Sequence, residues 1–178
     1  RRLLITILLV GISGSSYAQF DPGRIRRRHR SPDFQFDRGG VPDWEVNSEF
    51  PDDIFTFARL RYDSYNGWGK WATDYPDSDL NFSFRLQQLT SLKVNPDPII
   101  LDITDPKLFD YPFIYIIEPG DGIHLLDEEV TTLRRYIENG GFVFIDDFWG
   151  EREWQFFYED FQRVLPGREP VELPLDHP

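Results

Sequence analysis

The chain has 178 residues, 40% of them hydrophobic and 16% aromatic, with no cysteine, no methionine and a formal net charge of -12. That composition excludes disorder throughout and suits about one domain of roughly 100 to 150 residues, while the missing thiols exclude disulfides, a cysteine lipid anchor, thiolate metal ligands and a cysteine nucleophile. The charge is uneven: residues 19–40 carry six Arg against three Asp, whereas residues 41–178 carry eleven Lys and Arg against twenty-eight Asp and Glu, and a body this acidic lacks the basic footprint that nucleic acid requires.

With no Met even at its first position, the chain is expected to lack its start. Arg1-Arg2, the apolar run Leu3 to Ile12 and the small residues up to Ser16-Tyr17-Ala18 read as a signal peptide over 1–18, cleaved after Ala18. The run is shorter than the roughly 17 to 25 residues that span a bilayer, so the mature chain is expected to be exported, periplasmic or extracellular, without a transmembrane helix. Residues 19–51, rich in Pro, Gly, Arg and Asp, read as a disordered linker whose Arg24 to Arg30 cluster is a solvated tether.

The domain is expected over 52–178. Asp53 to Tyr62 is dense in strand formers. An aromatic loop with Trp68, Trp71 and Tyr75-Pro76 follows, and Asp77-Ser78 can cap a helix over about Asp79 to Leu92, with Phe82, Leu86 and Leu89 at helical spacing. Ile99 to Ile103 and Phe113 to Ile117 read as strands. Leu126, Val130, Leu133 and Ile137 mark the clearest helix, with Asp127-Glu128-Glu129 in its first turn and Arg134-Arg135 in its last. Asn139-Gly140-Gly141 supply left-handed residues that end it. Phe142 to Ile145 is a continuous apolar strand, and Trp154, Phe157, Phe161, Val164 and Leu165 mark a last helix before Pro166-Gly167. Short wholly apolar strands alternating with helices imply a mostly parallel sheet with helices on both faces.

Asp74-Tyr75-Pro76, Ser78-Asp79-Leu80-Asn81-Phe82, Arg85-Leu86, Leu89-Thr90-Ser91, the Leu133 to Gly141 helix end and Gly141 to Gly150 together resemble the bacterial domain-of-unknown-function family 4159. The likeness runs from about Asp53 to Pro178, and the chain is expected to stop inside the domain. It implies a three-layer flavodoxin-like, or class I glutamine amidotransferase-like, fold in exported bacterial proteins. In the amidotransferases a strand-to-helix turn presents a cysteine nucleophile; here Asp146 and Asp147 stand there, so amidotransfer is not expected.

In an open α/β sheet, ligands collect outside the carboxyl ends of the strands. Asp146 and Asp147 close the fourth predicted strand, and adjacent carboxylates on extended chain point apart, so one is expected to face a ligand while the other caps the next helix. Asp121 and His124 follow the third strand and are expected at the same edge. Arg61, Trp71, Tyr75, Asp79, Asn81 and Trp149 are further ligand-binding candidates. No cofactor is identified; a divalent cation could suit carboxylates with one histidine, but no His-Glu-x-x-His spacing is present. Neither a phosphate loop nor a Gly-x-Ser-x-Gly elbow occurs. The reading favours a non-catalytic module that binds a protein or glycan; the alternative is a carboxylate-based, metal-dependent hydrolase.

Overall fold

The computed structural model describes residues 37–46, 49, 53–63, 69–121 and 123–177. The predicted signal peptide, most of the linker and Trp68 lie outside the described residues. Four strands form in chain order, β1 (Ala58–Arg61), β2 (Ile99–Asp102), β3 (Phe113–Ile117) and β4 (Phe142–Asp146), with helices α1 (Asp77–Leu89), α2 (Asp127–Glu138) and α3 (Gly150–Val164). Short 3-10 turns occupy Lys70–Ala72, Pro106–Asp110 and Pro119–Asp121. All pairings are parallel and the sheet order is β2-β1-β3-β4. This is the flavodoxin-like order over its first four strands, whose direction of travel reverses between β1 and β3.

Alternation along each strand divides the core. Ala58, Leu60, Leu101, Ile114 and Ile116 face α2 and α3, packing with Leu108, Val130, Leu133 and Val164. Fully burying each large aliphatic side chain contributes about 1.5–3 kcal/mol. Phe57, Tyr115 and Ile117 face the other way, with Phe55 and Phe113 against them. α1 covers the β1 end of that second face, its Phe82 ring lying 5.1 Å from Phe57 and 5.9 Å from Phe113. Toward β4 the face is open, and Phe142 and Phe144 are exposed.

Three local expectations change. The first strand is four residues long rather than ten, and Phe55 upstream of it makes only an isolated bridge to Val94. α1 starts at Asp77 with no side-chain cap, and its buried residues are Asp79, Leu80 and Ser83 rather than Phe82, Leu86 and Leu89. The cause is Arg59, which points from the middle of β1 into this face and turns Asp79 inward to meet it. Of the two glycines after α2, only Gly140 is left-handed, at φ 94°; Gly141 is needed for space, because a Cβ there would run into the Tyr136 ring.

Arg59 and Asp79 are both fully buried. Arg59 Nε donates to Asp79 Oδ1 at 3.0 Å and Nη2 to Oδ2 at 2.6 Å. Nη1 donates to the carbonyls of Trp71 and Thr73 at 2.9 and 3.0 Å, and Nη2 also reaches Ser78 Oγ at 2.7 Å. Ser78, expected as a cap, serves this pair instead. Asp79→Ala leaves a buried guanidinium without its counter-charge and is expected to cost about 3–5 kcal/mol. In urea melts the Arg59→Met/Asp79→Leu double variant should lose clearly less than the two single losses added together; simple additivity would show that the residues act independently.

Candidate functional site

The carboxyl ends of β3 and β4 separate abruptly. Glu118 N–H donates to Asp146 O at 2.9 Å, one step beyond the β3 strand, and then Glu118 and Asp147 both take left-handed φ, 48° and 58°. Residues with a Cβ rarely adopt that region, and where they do the surrounding structure must hold them. Their two turns spread the chains apart and open a cleft of about 260 Å³ lined by Lys70, Glu118, Asp147, Trp149 and Glu153.

Each wall of the cleft is held from behind. Lys70 belongs to the 3-10 turn whose flanking carbonyls Arg59 grips, and its ammonium pairs with Glu118. The Tyr62 hydroxyl lies 2.7 Å from Ile117 O and 2.9 Å from Glu118 O, tying β1 to the end of β3. Trp149 donates through Nε1 to Asp147 Oδ1 at 2.8 Å, and its backbone N–H donates to the Glu153 carboxylate. The indole nonetheless remains 61% exposed. Gly120 lets α3 approach this closely, since a Cβ there would lie 2.8 Å from Phe148 Cβ and collide with Glu153.

A second cleft, of about 390 Å³, lies between the ends of β1 and β2 and the start of α2, lined by Arg61, Tyr62, Asp63, Trp71, Asp102, Thr104 and Glu129. Arg61 makes a two-pronged bond to Asp102 at 2.6 and 2.5 Å. Glu129 accepts the Leu126 N–H at 2.8 Å, closing the first turn of α2. Burial pushes its carboxyl above the usual range, against the lowering effect of that bond, and the charge of Asp63 adds to the rise.

The four acid–base candidates share the edge but not one cleft. Asp147 lines the β3–β4 cleft. Asp146 turns to the α1 face, where its Oδ1 accepts the Asp147 N–H at 2.8 Å and its Oδ2 the Tyr115 hydroxyl at 3.3 Å. The Tyr115 phenol is pushed well up, first by burial and then by the Asp146 charge. Neither aspartate caps α3, whose cap residue is Trp149. Asp121 closes the Pro119–Asp121 turn. The His124 backbone N–H donates to Asp63 O at 2.8 Å, and its ring acts electrostatically on Glu129 and Asp160. Among the described residues no three His, Asp or Glu side chains converge as a metal site requires.

Of the other candidates, Trp149 lines the first cleft and Arg61 and Trp71 the second. Tyr75 lies half-buried beside Arg59, and burial raises its phenol to about 12. Asp79 has no exposed surface and is spent on Arg59. Asn81 lies exposed on α1, donating to Asp77 O at 2.8 Å. Sequence reasoning missed Lys70, Glu118 and Glu153. Glu118 was findable as the residue that follows a strand; Lys70 was not, since its loop is placed by tertiary contacts, the Arg59 bonds to Trp71 O and Thr73 O and the burial of Trp71 and Ala72 in the core.

A family model described as Domain of unknown function (DUF4159) matches residues 56–178. No curated protein matches the chain. Among the described residues no helix is long and apolar enough to cross a membrane.

The raised Glu129 carboxyl carries a pH dependence. A carboxyl whose folded pKa lies above its unfolded one favours the folded state while protonated, and that contribution is lost as pH rises through the ordinary carboxylate range. Glu129→Gln keeps an oxygen for the Leu126 N–H and removes the buried charge, so at pH 7 its melting temperature should equal or exceed wild type, while near pH 4 any gain should disappear. Glu129→Ala, lacking the cap, should lose about 1 kcal/mol at both pH values. Thermal melts of the three proteins at the two pH values check this.

Proposed function

Given that the chain belongs to the DUF4159 family, a family of unknown function, we propose that the β3–β4 cleft is a carbohydrate-binding site and that the domain works as a non-catalytic recognition module. The observation that carries this is Trp149: an indole 61% exposed, yet fixed by its own Nε1–H to Asp147 beside two more carboxylates. A flat apolar face for the C–H side of a sugar next to acceptors for its hydroxyls is what pyranose recognition demands.

Size and charge narrow the ligand. About 260 Å³ lies below the roughly 300–1,000 Å³ of pockets for drug-sized molecules. It suits a sugar unit of a longer chain. Glu118, Asp147 and Glu153 face a single ammonium, Lys70, so acidic sugars are disfavoured and neutral or amino sugars preferred. The export signal read at residues 1–18 would place the domain in the periplasm or outside the cell, where such glycans occur.

The hydrolase alternative is less well supported. Asp147 and Glu153 each accept a bond from Trp149, and Glu118 pairs with Lys70, so each cleft carboxylate has a partner within the protein that it would have to release to act as acid or base. Titration calorimetry against neutral, amino and acidic oligosaccharides tests the proposal. Neutral or amino sugars should bind and polygalacturonate should not, and Trp149→Ala should lose about tenfold in affinity, the scale of one aromatic stacking contact. Binding unchanged in Trp149→Ala sinks the site assignment. Release of reducing ends that is abolished by Asp147→Asn sinks the non-catalytic part.

A further inference from the structure

Residues 37–46 belong to the stretch whose composition reads as an unfolded linker, and they precede the family match, which begins at residue 56. In the structure they lie against the body of the domain. Arg38, Gly39, Gly40 and Val41 form a tight turn closed by Val41 N–H to Arg38 O at 2.9 Å. Its two central residues have φ of 58° and 83°, the pair of positive values that a Gly-Gly sequence adopts without strain. The turn aims Arg38 and Trp44 at the same short segment, the one that enters β2.

Arg38 uses its whole fork. Nη1 donates to Asp97 Oδ1 at 2.6 Å, Nη2 to Pro96 O and Pro42 O at 3.3 and 3.1 Å, and Nε to Val41 O at 3.3 Å. One side chain thus fixes the strap's own fold and fastens it to the domain. Six residues on, Trp44 Nε1 donates to Val94 O at 2.8 Å while its ring packs 6.0 Å from Phe84 of α1. Gly39 passes close to Asp77 at the start of α1. The carbonyls used, at 94 and 96, flank the point where Val94 and Asn95 pair with Phe55 before β1.

From these contacts we infer that residues 37–46 are a clasp belonging to the folded domain, which pins α1 to the segment entering β2 and fixes where the N-terminal chain departs. Val94 to Asp97 precede β2, so both anchors lie at the amino-terminal ends of the strands. The cleft lies at the carboxyl ends. This inference stands on the clasp contacts alone and does not depend on what the cleft binds.

Trypsin cuts after arginine, so the full chain carries its own reference: the bonds following Arg24 to Arg30 and the bond between Arg38 and Gly39. Under limited digestion at native pH, followed by mass spectrometry, the clasp requires the Arg38–Gly39 bond to be cut at least about tenfold more slowly than in Trp44→Ala, with cleavage at the Arg24 to Arg30 sites unchanged. Asp97→Asn removes only the exposed ion-pair partner and guards against a variant that fails to fold; it should speed the same cut without altering the far-ultraviolet dichroism. Equal cleavage after Arg38 in wild type and in both variants overturns the proposal.

Discussion

The buried Arg59–Asp79 pair is the constraint on which the rest of the structure depends. An arginine in the middle of a strand, with no exposed surface, carries a desolvation cost that only a complete set of partners can offset. The partners are complete: one carboxylate in two-pronged contact, one hydroxyl and two backbone carbonyls. The Tyr115 ring lies under the guanidinium at 5.0 Å. These acceptors come from different places, α1, the turn before it and the 3-10 turn that carries Lys70. Meeting the needs of one cation therefore fixes the rotation of α1 and, together with the burial of Trp71 and Ala72 in the core, the position of the loop that carries Lys70. A pair of leucines could fill the volume, but they could not hold two carbonyls.

The same constraint reaches the cleft. Because Arg59 holds the carbonyls of Trp71 and Thr73, Lys70 projects over the end of β3 toward Glu118. Tyr62, the residue after the strand that bears Arg59, secures the backbone on either side of the same point. The order of the sheet reverses between β1 and β3, whereas the cleft opens one strand further on, where the two left-handed residues part the ends of β3 and β4. The site is held by side chains of the segment that follows β1, Tyr62 and Lys70.

Much of this was legible in the sequence and some of it was not. Strands of continuous apolar residues gave their own positions, since Phe113 to Ile117 and Phe142 to Ile145 match β3 and nearly match β4, and α2 follows its apolar period within one residue. α1 was misread in its facing because hydrophobicity ranks Phe82 and Leu89 above an aspartate, and nothing local reveals that a residue twenty positions earlier demands Asp79. The edge bearing Asp147 and Trp149 was readable from strand ends alone. Its partner Lys70 was not, because the loop that carries it is placed by tertiary contacts. The docked part of the linker was hidden for the same reason: Arg38 and Trp44 look solvated until the carbonyls of residues 94 and 96 come within reach.

The residues that line the cleft are held rigidly. Glu118 and Asp147 each hold a backbone conformation that costs of order 1–3 kcal/mol in isolation, and a fold retains such residues only when neighbouring contacts over-determine them. Here the Lys70 ion pair, the Tyr62 hydroxyl and the Trp149 indole supply those contacts. An indole already fixed by Asp147 loses little side-chain freedom when something stacks on it, which removes part of the ordering cost that weakens small-ligand binding. The carboxylates are fixed in the same way, each by a donor the protein itself provides. For the recognition role proposed above this is an advantage, since a recognising carboxylate works best when it does not move, whereas a reacting one must exchange partners.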